Sequence, residues 1–399
     1  MRKIHIVGMC FVILLGSISA CKKLLPKAPK DDEILDGPIE GLTGEQKQRF
    51  LRGDIAFNDD VFTVQKGLGS IFVSTSCGSC HAGDGKGHPF TTLVRFGQTD
   101  STGNHFLDQG GPQLQNRAIP GYIPEQIPFG ATFSKFTPPA NTGLGFIELV
   151  SDADILAMAD PADADGDGIS GVAQWCYMAP YIIPHANAVS LGGKYIHRFG
   201  KKAGAYNLLN QTANAYNQDM GVTSVYAPYD VYSGLEIDPE IPSSTLHDVV
   251  FYLQTLKAPI QRDQNKVEVL AGKNTFIQIG CEKCHKQTLR TGYSPVEGLS
   301  NKDFHPYTDL LLHDMGVGLD DGYTEGNAKT YEWRTPALWG LGLSKSSQGG
   351  HYFLLHDGRA NSIEQAIYLH GGEAQSSSNA FQTLTNTDKQ NLLTFLESL

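Results

Sequence analysis

Cys77-Gly78-Ser79-Cys80-His81 and Cys281-Glu282-Lys283-Cys284-His285 are two copies of one pattern, 204 residues apart. C-x-x-C-H is the attachment pattern of a c-type haem. Two thiols three positions apart add to the two vinyl groups on one porphyrin edge. The adjacent imidazole then swings beneath the ring and ligates the iron. The cofactor expectation is therefore two covalently bound haem c groups, one on Cys77, Cys80 and His81 and one on Cys281, Cys284 and His285. Three other chemistries fit less well. A redox dithiol does not need the following His, let alone twice. Zinc ribbons keep their cysteine pairs about 15–20 residues apart. A disulfide across two residues is strained, although an oxidising compartment would permit it.

Cysteine usage also speaks to location. Arg2 and Lys3 precede a mostly apolar run from Ile4 to Ile18, which ends in Ile18-Ser19-Ala20-Cys21. This reads as a secretory signal closing in a lipobox, with cleavage after Ala20 and lipid on Cys21. A plain signal cut nearby is the alternative. Lys22 to Glu33, with Pro26 and Pro29, reads as a polar tether. The expected location is the periplasm or cell envelope, lipid-anchored through Cys21. Haem c is attached outside the cytoplasm, which agrees. Cys10 leaves with the signal, and Cys176 is left as a buried thiol with no available partner.

The chain has 399 residues, 40% hydrophobic, with 44 glycines, 20 prolines and a net charge of −11. Removing the leader with Arg2 and Lys3 lowers the charge to −13. No basic stripe is left to meet nucleic acid. Strand patterns are few and short. Helices are expected from Thr43, over Asp152–Ala159, near Ala203–Met220, from Ser243, before Cys281, over Ser362–His370 and over Thr387–Leu399. The fold class is mainly α, as two cytochrome c-like haem domains with long loops. The expected divisions are a signal over 1–20, a tether over 21–45, and haem domains over 46–245 and 246–399. The approaches to the two motifs look alike: Phe72 and Phe276 each precede the first Cys by five, with Gly67, Gly69 and Gly272 a little earlier.

The sixth iron ligand separates chemistry from electron carriage. Ile363, Ala366, Ile367 and His370 fall on one helical face, behind an expected Asn361-x-x-Glu364 capping box. That points His370 inward as a candidate ligand. His313-Asp314-Met315-Gly316, Trp333-Arg334-Thr335-Pro336, His356-Asp357-Gly358-Arg359 and His370-Gly371-Gly372-Glu373-Ala374 carry a resemblance, as do Gly143 to Glu148, Asp167 to Gly171 and Arg198 to Ala203. Over most of residues 65–399 the chain resembles the bacterial dihaem oxidoreductase family, whose members are described as peroxidases or thiol oxidoreductases. That family is related to dihaem cytochrome c peroxidases and to the dihaem enzyme that matures methylamine dehydrogenase.

The resemblance implies an enzyme that reduces peroxide at the N-terminal haem, with electrons relayed by the C-terminal haem from a small redox donor protein or quinol-linked cytochrome. It places His370 as distal ligand of the second haem, where the peroxidases usually carry Met. That exchange lowers the expected potential. The first haem has no evident sixth ligand; His88 lies too near His81, and His105, His185 and His197 are open candidates. Related peroxidases use a Glu to move the proton, which makes Glu148 the catalytic candidate and Glu125 a second. They also hold a Trp between the haems, for which Trp175 is available. Two other readings stay open: a non-catalytic electron-transfer or haem/iron-handling lipoprotein, and an oxidase acting on a protein or thiol. Lastly, Asp163, Asp165 and Asp167 have D-x-D-x-D-G spacing for Ca²⁺, though Gln174 stands where a bidentate Glu is usual.

Overall fold

A computed structural model describes residues 29–99 and 105–399. The leader and Cys21 lie outside the described residues. Residues Leu35–Leu399 form one compact unit. The described chain is 34% helical. Its ten α-helices are α1 Gly44–Asn58, α2 Leu144–Glu148, α3 Asp152–Met158, α4 Leu208–Met220, α5 Ser243–Thr255, α6 Val267–Gln278, α7 Ser344–Ser347, α8 Ile363–Tyr368, α9 Gln375–Thr383 and α10 Asn386–Ser398. The strands run two to four residues and pair into two- or three-stranded ribbons, all antiparallel. Most of the chain is therefore loop. Among the described residues no helix is long and apolar enough to cross a membrane.

Local chemistry sets the helix ends. Thr43 Oγ1 accepts from Gln46 N at 3.2 Å and Gln46 Oε1 accepts from Thr43 N at 2.9 Å, the capping box expected for α1. Helix α4 begins at Leu208 rather than near Ala203, because Ala203 takes a left-handed turn (φ +52°) and Asn207 supplies the cap. The cap of α8 is Ser362 with Gln365, not Asn361 with Glu364: Ser362 Oγ accepts from Gln365 N at 3.0 Å. Glu364 instead accepts from Tyr368 Oη at 2.9 Å. Helix α5 follows Pro242, and its serines make no cap hydrogen bond. Residues 245 and 246, where the sequence placed the seam between halves, lie inside α5.

Two helix crossings organise the unit. Helix α1 packs on α5, and α6 packs on α10. Each crossing is closed by a glycine that lets the backbones meet. A Cβ on Gly53 would stand 2.6 Å from Tyr252 Cβ and collide with the Asp248 carbonyl. A Cβ on Gly272 would stand 2.7 Å from Phe395 Cβ and collide with the Asn391 carbonyl. Four residues beyond each glycine is a buried phenylalanine, Phe57 and Phe276. Tyr252 and Phe395 likewise lie four beyond Asp248 and Asn391. The same arrangement thus occurs twice. Its members in the first half are Gly53 and Phe57, in place of the expected Gly67, Gly69 and Phe72. Phe72 sits in the two-residue strand Ile71–Phe72, so no helix runs directly into the first motif.

The first hydrophobic core gathers α1, α4 and α5 with residues from 289–311. The second gathers α6, α8, α9 and α10. Burying a side chain such as Phe276 or Phe395, at 3% and 0% exposure, contributes about 2–3 kcal/mol.

Candidate functional site

Both C-x-x-C-H stretches wind into the same turn. Cys80 N and His81 N donate to Cys77 O at 3.1 and 3.0 Å. In the second motif Cys284 N and His285 N donate to Cys281 O, the latter at 3.0 Å. None of the four cysteines is paired in a disulfide. Each histidine packs beside the phenylalanine of its crossing. Phe57 and His81 ring centres are 5.9 Å apart at 53°, and Phe276 and His285 are 6.4 Å apart at 52°.

The ring nitrogens fit an iron ligand. His81 Nδ1 lies 3.1 Å from the Pro139 carbonyl, and His285 Nδ1 lies 2.9 Å from that of Tyr307. A carbonyl only accepts, so each Nδ1 carries the proton and each Nε2 presents a lone pair. Burial pushes both imidazoles down to about 4, with Lys201 acting in the same direction on His81 and His370 on His285. Neutral rings with a free Nε2 are the form that binds iron.

His370 repeats the pattern. It follows α8, its Nδ1 lies 2.6 Å from the Ala366 carbonyl, and burial lowers its pKa. It stands near enough to His285 to disfavour protonation there. The sequence stripe holds: Ile363 and Ala366 are buried and Ile367 packs on the second core. No comparable arrangement is found around His81 among the described residues. His88 Nδ1 accepts from Phe90 N at 3.2 Å and its ring packs on Phe353. His185 stacks on Tyr206. His197 is 3% exposed, its Nδ1 lies 3.1 Å from Gly204 O, and its Nε2 has no partner.

The group beside Cys284 joins two of the family-like stretches, to which the sequence assigned no contact. His313, 3% exposed, has Nε2 at 2.8 Å from Asp309 Oδ2 and Nδ1 at 2.6 Å from Glu373 Oε2. Cys284 Sγ lies 3.6 Å from His313 Nδ1. Burial alone would lower His313, but hydrogen bonding to Asp309, Cys284 and Glu373 outweighs it and raises the group to about 12. Cys284, Asp309 and His313 place possible ligand atoms within 4.8 Å of one another. Both ring nitrogens already face carboxylates, so the cluster is an ion-paired imidazolium rather than a metal site. Trp333, quoted in the sequence only as part of a family-like stretch, was given no role there. In the strand Glu332–Arg334, paired directly opposite His313, its ring stacks on His356 at 3.7 Å and 9°. The Lys202 ammonium stands 3.8 Å from the Trp333 ring centre, anchored on three main-chain carbonyls. Trp175, by contrast, is half-buried in the strand Gln174–Cys176.

Two carboxylates proposed for proton transfer are engaged elsewhere. Glu148 is 6% exposed. Its Oε1 accepts from Leu208 N at 2.7 Å, at the start of α4, and its Oε2 accepts from Gln254 Nε2 at 2.6 Å. Beside it the Arg198 guanidinium, 1% exposed, is ion-paired with Asp152 and donates to Val150 O. Burial raises the Glu148 pKa. This is a carboxylate that ties three segments together. Glu125 accepts from Gln115 N at 2.7 Å and Gly111 N at 3.3 Å and braces its own loop.

The acidic loop is also rearranged relative to expectation. Asp160, Asp163 and Asp165 bring carboxylate oxygens within 4.8 Å of one another. Asp167 turns away to Lys283, 3.0 Å from its ammonium, which holds the Asp167 carboxyl below its usual range. Lys283 lies inside the second C-x-x-C-H. Cys176 is half-buried, and burial lifts its thiol to about 11.

Residues 134–399 match a family described as "Di-haem oxidoreductase, putative peroxidase". The second cysteine motif falls inside the matched region and the first precedes it. No curated protein matches the chain. Among solved structures it is similar to one described as Kuenenia stuttgartiensis hydrazine synthase pressurized with 20 bar xenon, at 14% identity and a TM-score of 0.39, over 94% of this chain and 95% of that one. It is similar also to a MauG-like protein associated with microbial copper homeostasis, at 15% identity and a TM-score of 0.39, over 94% of each chain.

Proposed function

The chain belongs to the di-haem oxidoreductase family, and on that premise we propose that it reduces peroxide, using two haem c groups with different axial coordination. Cys77, Cys80 and His81 hold one haem, and Cys281, Cys284 and His285 hold the other. Bound there, an iron porphyrin supplies one-electron chemistry and, where one axial side is open, a place for peroxide. His285 and His370 would both hold the second group's iron, leaving it no free place for peroxide. Among the described residues no second histidine is placed against His81 as His370 is against His285, which makes its site the open one in this reading. The observation that carries this reading is the asymmetry between the two sites. Both motif histidines offer a free Nε2, but only His285 has a second histidine beside it with Nδ1 bound back to its own helix.

Peroxide takes two electrons and two protons to give two waters. The electrons come from a small redox protein outside the cytoplasm, with this chain held at the membrane by lipid on Cys21. The duplicated helix crossing, glycine and phenylalanine support two haem units within the one compact body. Asp160, Asp163 and Asp165 are the carboxylates that would hold Ca²⁺. Glu148 takes no part in proton transfer. The test is electron paramagnetic resonance of the oxidised protein with stopped-flow peroxide mixing. One high-spin and one bis-histidine low-spin signal, with peroxide consuming the former, are expected. Two low-spin signals and no reaction contradict the reading. His197, with its unpartnered buried Nε2, favours a second reading, a non-catalytic electron carrier with iron closed on both sides. In that case His197→Ala would create the high-spin signal.

A further inference from the structure

The stretches His313–Gly316 and His370–Glu373, far apart in sequence, approach each other main chain to main chain. A Cβ on Gly316 would stand 2.7 Å from Gly372 N, and one on Gly371 would stand 2.9 Å from Met315 O. A Cβ on Gly372 would collide with the Asp314 carbonyl and stand 2.6 Å from Gly316 N. Glycine at 371 and 372 is what allows this approach. Glu373 then closes the contact. Its Oε2 faces His313 Nδ1 at 2.6 Å, and its Oε1 accepts from Ser170 Oγ at 2.5 Å and from Asp314 N at 3.3 Å. The other face of His313 is held by Asp309 at 2.8 Å. The ring edge lies 3.6 Å from Cys284 Sγ, in the motif that carries His285. The acidic loop reaches the same motif independently, since Asp167 pairs with Lys283 three residues before Ser170 meets Glu373.

We propose that Glu373, clamped by the buried His313 and by Ser170, is the positioning residue that keeps His370 on the iron side of the second haem site. This rests on His370 being the distal ligand. Helix α8 ends at Tyr368, leaving His370 on a short exit whose hydrogen bonds among the described residues run back to Ile367 O and Ala366 O. The segment after His370 must therefore be fixed from outside, and Glu373 supplies the side-chain anchor nearest to it. Two facing carboxylates on one imidazolium make a stiff, desolvated support. The arrangement couples both axial histidines to one cluster, because His313 touches Cys284 on the His285 side and Glu373 on the His370 side.

The experiment compares the holoprotein with Glu373→Ala, Glu373→Gln, Ser170→Ala and His370→Ala, all made with haem attached. Each is read by electron paramagnetic resonance and by the thermal unfolding midpoint. The native protein should show the bis-histidine low-spin signal, and His370→Ala should abolish it. Glu373→Ala should convert at least half of that signal to high spin at a temperature where the far-ultraviolet circular dichroism is unchanged. Glu373→Gln keeps the acceptor for Ser170 and Asp314 and should retain most of the low-spin form. Ser170→Ala should fall between the two. If the native protein lacks the bis-histidine signal, or His370→Ala leaves it intact, the ligand assignment fails. If both controls behave as expected and Glu373→Ala keeps a full low-spin signal, the positioning role alone is overturned. A midpoint lowered without any change of spin state also overturns it.

Discussion

Replacing Glu148 by Ala separates a structural carboxylate from a catalytic one. The substitution removes the acceptor for Leu208 N, at the start of α4 inside the first core, and for the half-buried Gln254 side chain. Each buried donor left unsatisfied costs about 1–3 kcal/mol. The Arg198 guanidinium beside it keeps Asp152 and loses only a diffuse attraction. The expected loss of stability is therefore about 1–4 kcal/mol, most of it from Leu208 N, enough to lower the unfolding midpoint by several degrees. A general acid–base residue contributes about 100- to 10,000-fold to its step. On the structural account the peroxide rate per folded, haem-loaded molecule falls less than about threefold, well short of that range. The assay pairs circular dichroism melting with stopped-flow loss of the high-spin absorbance, at a temperature where the variant is folded. A hundredfold slower reaction with an unchanged midpoint would refute the reasoning and return Glu148 to the reaction.

The two crossings should respond alike to Gly53→Ala and Gly272→Ala. Alanine favours a helix by about 1 kcal/mol over glycine, but the added methyl meets a main-chain carbonyl that cannot swing away, so each variant loses about 1–3 kcal/mol net in chemical denaturation; a gain at either site contradicts the packing. The folded pKa of His313 is raised to about 12, above its unfolded 6.5. Its contribution is thus complete below about pH 6.5 and is lost as pH climbs towards 12, by up to about 1.4 kcal/mol per unit. Denaturant midpoints from pH 7 to 9 should fall in the native protein and be flatter in His313→Gln; parallel curves would show a neutral ring. In calorimetric titration with Ca²⁺ after chelation, Asp160→Asn should weaken binding while Asp167→Asn leaves it within about twofold. The reverse order would restore the D-x-D-x-D-G assignment.

The legible parts were those written in short spans. The cysteine motifs, the Thr43 cap and the His370 stripe each depend on residues within seven positions of one another. The approach to the second cysteine motif was readable because α6 ends three residues before Cys281, so helix, phenylalanine and motif share one periodicity. The first was not. Residues 59–76 separate α1 from Cys77, and the chain turns through strand Ile71–Phe72 before the motif begins. The phenylalanine that packs on His81 is therefore Phe57, hidden behind an insertion, and counting back five from Cys77 finds the wrong ring. The seam expected after residue 245 falls inside α5, because Pro239 and Pro242 look like a break, yet α5 belongs to the first crossing. The partners of Glu148 were not readable, because a lone carboxylate in a family-like stretch gives no sign of Leu208 and Gln254, 60 and 106 residues away. His313, Glu373 and Ser170 meet only in three dimensions.

The intact mass of the protein, exported by cells that possess the haem-attachment machinery, tests the central claim most directly. The expected result is a gain equal to two haems, retained after acid denaturation. Cys77→Ala with Cys80→Ala should gain one haem, and so should Cys281→Ala with Cys284→Ala. A polypeptide mass with no porphyrin added, and four thiols open to alkylation, would contradict the claim.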